Sequence, residues 1–73
     1  MIVEVHYNGE HVATIEGDDY IKYRRKFGVS VEEDAIEIYK TRKHELTKEH
    51  PGEDIADVIG LVLSERLQPP IRV

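Results

Sequence analysis

Residues 2–16 read Ile2-Val3-Glu4-Val5-His6-Tyr7-Asn8-Gly9-Glu10-His11-Val12-Ala13-Thr14-Ile15-Glu16, and this stretch decides the fold. Asn8-Gly9 is a strong short-range hairpin signal, because a type I′ turn needs positive φ at both central positions. A two-residue loop predicts the pairs Tyr7 with Glu10, His6 with His11, Val5 with Val12 and Val3 with Thr14. One face then carries Val3, Val5, Tyr7 and Val12. The other carries Glu4, His6, His11 and Ala13, with Ile2 and Ile15 at the open end. That alternation suits a ribbon with one buried side.

Outward from the hairpin the period changes to that of helices. Gly17 breaks the strand, and Asp18 can cap a helix over about 19–27 that Gly28 ends. Ser30 and Glu33 have capping-box spacing for a second helix, about 31–49. Its apolar stripe of Val31, Ala35, Ile38, Tyr39 and Leu46 is interrupted by Arg42. Pro51 ends that helix and can occupy the first turn of a third, about 52–67. Pro69-Pro70 closes the third helix and leaves Ile71-Arg72-Val73 as an extended tail that offers a short third strand. The expected fold is α+β, an N-terminal β-hairpin followed by three α-helices, in one small domain spanning 1–73.

The charges follow the same segmentation. Residues 1–21 carry −5, 22–28 carry +4, 29–39 carry −4, 40–48 carry +3 and 49–57 carry −4. Acids gather at helix starts and bases at helix ends because both complement the macrodipole, so the blocks mark helices before they mark any ligand.

The chain has 73 residues and no cysteine. A domain this short buries only about 60% of its unfolded surface, and its core supplies roughly 3–5 kcal/mol. Without disulfides, association is the staple that remains. A lone hairpin is marginal in water, so a third strand is expected from the tail or from another subunit. The third helix is apolar nearly all round. Ala56 and Gly60 form a small-xxx-small pair that lets another helix approach. Ile55, Ala56, Ile59, Gly60, Val62 and Leu63 are therefore the expected homodimer contact. No apolar run approaches the roughly 20 residues needed to span a bilayer, and Met1-Ile2-Val3-Glu4 does not read as a signal segment. The expected location is cytoplasmic, away from membranes.

Tests for chemistry return little. His6 and His11 face each other across the ribbon, but two imidazoles with Glu4 as the nearest acid make a weak metal site. His44 and His50 are six apart, the wrong spacing for one helical face, so no metal is expected. Among hydroxyls, Ser30 is explained as a cap and Ser64 has no histidine near it; Thr14, Thr41 and Thr47 belong to no nucleophile motif. The carboxylate pairs Asp18-Asp19, Glu32-Glu33 and Glu53-Asp54 fall at helix starts, where exposed amides favour the ionised form, the opposite of what a general acid requires. There is no glycine-rich phosphate loop. Neither an enzyme nor a cofactor is expected.

Lys22, Arg25 and Lys26 share a helical face, and Gly28-Val29-Ser30 after them has the look of a helix-turn-helix junction. The following helix then opens on Glu32-Glu33-Asp34, where phosphates would lie, which disfavours duplex DNA. A ribbon-helix-helix reading is opposed by Glu4, Glu10 and Glu16 on the ribbon. Tyr23, Arg24 and Arg25, with Arg42, remain as candidates for a compact anion, since guanidinium forks and a stacking face suit nucleotides. The plain explanation for Arg42 is a snorkelling stem or an ion pair.

The functional expectation is a small, self-associating, non-enzymatic protein-interaction module of inhibitor or adaptor type. Its acidic surface would dock on a partner with a basic surface. The alternative is an oligomeric sponge or sensor for a small anionic ligand such as a nucleotide. A regulator touching nucleic acid through residues 22–26 ranks below both.

Overall fold

Asn8 and Gly9 have φ of 52° and 77°, as the hairpin turn demands. In the computed structural model, which describes residues 1–68, they join β1 (Ile2–Tyr7) to β2 (Glu10–Glu16) in a two-stranded antiparallel sheet. Three helices follow, α1 (Gly17–Phe27), α2 (Val31–Glu49) and α3 (Ile55–Glu65), completing an α+β fold. The tail strand considered for Ile71-Arg72-Val73 lies outside the described residues.

The pairing departs from the simple alternation beyond His6↔His11. A β-bulge at Val12 shifts the register, so Val5 faces Ala13, Glu4 faces Thr14 and Val3 faces Ile15. The extra residue lets two consecutive side chains, Val12 and Ala13, be buried together. Ala13, expected on the outer face, thus belongs to the core, as does Ile15, expected at the open end.

β2 runs into α1 without a loop. The Gly17 amide donates to the Met1 carbonyl at 2.7 Å, which satisfies a helix-start donor that would otherwise need a side-chain cap. Glu16, not Asp18, stands at the N-cap, and it makes no side-chain cap bond; Asp18 and Asp19 lie in the first turn. Gly28 ends α1 at φ 73° with its amide on the Arg24 carbonyl at 2.9 Å. α2 starts on the expected capping box, Ser30 Oγ accepting from Glu33 N at 3.3 Å and Glu33 Oε2 from Ser30 N at 3.4 Å.

α3 is shorter than expected at both ends. Pro51 lies in a turn rather than in the helix, Gly52 turns the chain at φ 81°, and Asp54 Oδ1 accepts from Ala56 N at 3.1 Å as the true cap. The helix then crosses β2 with Gly60 pressed on the strand: a Cβ at Gly60 would stand 1.9 Å from the Thr14 carbonyl oxygen. The core gathers Val5, Val12, Ala13, Ile15, Tyr23, Val31, Ala35, Ile38, Leu46, Val58, Ile59 and Leu63.

This packing revises the expected subunit contact. Ala56, Ile59, Gly60 and Leu63 are buried in the chain's own interior, and Ile55 and Val62 pack against the same core partly covered. The small residue at 60 admits strand β2, not a second helix. A partner could reach Ala56, Ile59, Gly60 and Leu63 only by opening the fold, whereas Ile55 and Val62 keep part of their surface exposed. On α3 the large apolar side chain left outside is Leu61, 53% exposed.

Candidate functional site

The anion-binding candidates do not form one site. Tyr23 is 1% exposed, so its ring offers no stacking face. Its hydroxyl donates to Asp34 Oδ2 and accepts from Arg66 Nη1 at 3.1 Å, while Arg66 reaches Asp34 at 3.6 Å. Tyr20 donates to Glu32 Oε2 at 3.0 Å one turn away. These bonds clamp α1 onto the first turn of α2 and bring the end of α3 to the same place. Burial, then the bond to Asp34, raises the Tyr23 pKa; the bond to Glu32 raises that of Tyr20.

Arg24 and Arg25 are exposed on α1 with no carboxylate within ion-pair distance among the described residues. Arg42 is elsewhere. Asp34 marks where α1 meets α2, and eight residues further along a helix is about 12 Å. There Arg42 is half-exposed and holds Glu45 through Nε and Nη2, each at 3.5 Å. Its side chain is 38% exposed with its head on that carboxylate, the ion pair expected as one of its plain explanations.

The histidines of the ribbon meet as expected. The His6 and His11 rings stack at 5.0 Å with an interplanar angle of 20°. His6 Nε2 lies 3.2 Å from Glu4 Oε1, whereas His11 Nε2 turns to Thr14 Oγ1 at 2.8 Å and the Ala13 carbonyl at 3.0 Å. The two nitrogens serve different partners. Among the described residues, no three His, Asp or Glu side chains gather to hold an ion, and no cavity is found. No described helix is long and apolar enough to cross a membrane.

A cluster missed in the sequence sits where α2 crosses the turn end of the hairpin. Tyr7 and Tyr39 meet edge to face at 6.3 Å; Lys40 Nζ stands 5.6 Å from the centre of the Tyr7 ring and Lys43 Nζ 4.8 Å from that of Tyr39. Lys43 also donates to the Tyr39 hydroxyl at 3.0 Å, and that bond raises its pKa. Tyr39 and Lys43 are four apart on one helix, a spacing visible in the sequence. Tyr7 joins them through the tertiary packing alone.

The acids divide into two groups. Glu4, Asp34, Glu45 and Glu53 have basic partners, Glu32 and Asp19 take hydroxyl donors, and Glu33 and Asp54 cap helices. Glu10, Glu16, Asp18, Glu37, Glu49, Asp57 and Glu65 are exposed and take no side-chain partner among the described residues. Glu16 and Asp18 stand at the start of α1 and Asp57 in the first turn of α3. Gly60 against Thr14 and Ser64 Oγ donating to Asp19 Oδ2 at 3.4 Å fix how α3 lies on β2 and the start of α1. No family model, curated protein or solved structure matches this chain.

Proposed function

We propose that the chain is a small, non-enzymatic protein-interaction module of inhibitor or adaptor type, self-associating, with an acidic border for a basic partner. What supports this reading is the set of exposed acids without a side-chain partner among the described residues, with Glu16 and Asp18 at the start of α1 and Asp57 in the first turn of α3 taken as the docking charges. A fixed, exposed strip of one sign steers an oppositely charged partner and repels polyanions. A second copy is the natural support for so small a core.

Titration calorimetry with an oligolysine peptide tests the acidic border. The triple variant Glu16→Gln, Asp18→Asn, Asp57→Asn is expected to weaken binding by about tenfold and to flatten its salt dependence. A control with Glu37→Gln, Glu49→Gln and Glu65→Gln removes the same charge elsewhere and is expected to bind nearly as the parent does. Equal losses in both variants would reduce the effect to net charge and remove the border from the account.

A further inference from the structure

We infer that the outer edge of β1 pairs antiparallel with β1 of a second copy, joining two hairpins into a four-stranded sheet. This deepens the self-association in the proposed function and rests on it, but uses a surface separate from the acidic border.

The direction of the backbone groups comes first. In an antiparallel ladder, residues alternate between those that exchange both hydrogen bonds with the neighbour and those that point both groups away. Tyr7↔Glu10 closes the hairpin, and Gly17 N donating to Met1 O continues the ladder at the other end. The odd residues Val3, Val5 and Tyr7 therefore bond to β2, and Ile2, Glu4 and His6 direct their amides and carbonyls to the outer edge. Among the described residues, no turn, loop or cap bond takes up those groups.

The two edges of the sheet are treated differently. β2 carries the bulge at Val12, and α3 lies against it with Gly60 on the Thr14 carbonyl. β1 reads Ile-Val-Glu-Val-His-Tyr, with no proline, no lysine and no bulge to deter a neighbour. Ile2 is 60% exposed, and Val3 and Tyr7 are only partly covered by their own chain.

One register makes the edge complementary to itself. With the two-fold axis at Val5, Glu4 lies opposite the partner's His6 and His6 opposite the partner's Glu4. On the core side, Val5 meets its own copy and Val3 meets the partner's Tyr7. Each cross-strand pair is then apolar on apolar or acid on imidazole. Sliding the axis to Glu4 would set two carboxylates face to face, and like charges directly opposite are destabilising.

Sedimentation equilibrium with amide hydrogen exchange on the full chain tests this. The parent is expected to dimerise, with Glu4 and His6 amides gaining protection as concentration rises. His6→Glu opposes carboxylates in two symmetric pairs and is expected to weaken the dimer about tenfold. Glu4→Lys combined with His6→Glu restores opposite charges across the edge and is expected to recover the dimer, with the Glu4 and His6 position amides again gaining protection as concentration rises, which repair of the 3.2 Å contact between the two side chains within one chain would not produce. A dimer indifferent to His6→Glu overturns the β1 edge and leaves self-association standing through another surface. A parent monomeric at millimolar concentration overturns both. A monomer with Glu4 and His6 amides already protected shows that another segment of the same chain holds the edge, which also overturns the inference.

Discussion

Gly60 shows how much a single position can carry. Its missing side chain lets α3 lie on the Thr14 carbonyl, and a methyl group there meets backbone that has no rotamer to move. Gly60→Ala is expected to destabilise by about 2 kcal/mol, as overpacking does, although alanine's better helix propensity, about 1 kcal/mol, acts the other way. Thermal unfolding followed by circular dichroism should show a midpoint lowered by roughly 10 °C, and an unchanged or raised midpoint would mean that α3 does not rest on β2. The Tyr23 hydroxyl makes a second residue-scale prediction. Tyr20 and Tyr23 have pKa values raised above the ordinary 10.0, so folding favours their neutral forms. That contribution is complete below pH 10 and disappears as pH climbs through the raised values. Tyr23→Phe is expected to cost about 1 kcal/mol at neutral pH and to make the alkaline loss of stability shallower in urea titrations. The sequence disclosed the residues whose role is local, Asn8-Gly9 in its turn and Ser30 with Glu33 in its capping box. It marked Gly60 as a point of close approach but not what approaches, which lies on a strand 46 positions earlier in the chain, at Thr14.

At the scale of elements, the corrections fall at junctions. The order of hairpin and three helices follows from periodicity and punctuation. The bulge does not, because Glu10-His11-Val12-Ala13 alternates acceptably in either register and the decision belongs to the core that receives both Val12 and Ala13. The start of α3 differs from the expected one for a related reason: Pro51 suits a first turn by residue type, but Gly52 at positive φ keeps it out of the helix and Asp54 takes the cap. Asp54→Ala is therefore expected to cost about 1 kcal/mol, whereas Pro51→Ala, outside any helix, should change stability by less than about 0.5 kcal/mol. Equilibrium urea unfolding of the two variants checks this, and the reverse order would move the helix start back to Pro51. The anion site failed at this same scale. Tyr23, Arg24, Arg25 and Arg42 are compatible as residue types, but the α1–α2 clamp fixes where each helix meets the other and leaves Arg42 further along.

For the whole molecule, the net charge of −5 conceals an uneven distribution. Lysines 40 and 43 are drawn over tyrosine rings and several acids are spent on caps and clamps, whereas Lys22, Arg24, Arg25 and Lys26 remain an exposed basic block on α1. The proposed docking surface of Glu16, Asp18 and Asp57 is part of a larger exposed, unpartnered set that includes Glu10, Glu37, Glu49 and Glu65. Its effect on binding of a cationic peptide should fade between low and moderate salt, because exposed charges are screened beyond a Debye length of about 8–10 Å. The crossing of α3 over β2 covers one edge of the sheet, while among the described residues no turn, loop or cap bond takes up the outer edge of β1, which is the edge the proposed association uses.

The clamp between α1 and α2 also gives the molecule an optical signature. The chain has no tryptophan and four tyrosines, and two of these, Tyr20 and Tyr23, donate their hydroxyls to carboxylates. A carboxylate acceptor quenches phenol emission, so the folded chain should fluoresce weakly and brighten as the first two helices part. Undocking can then be timed by stopped flow without attaching a dye.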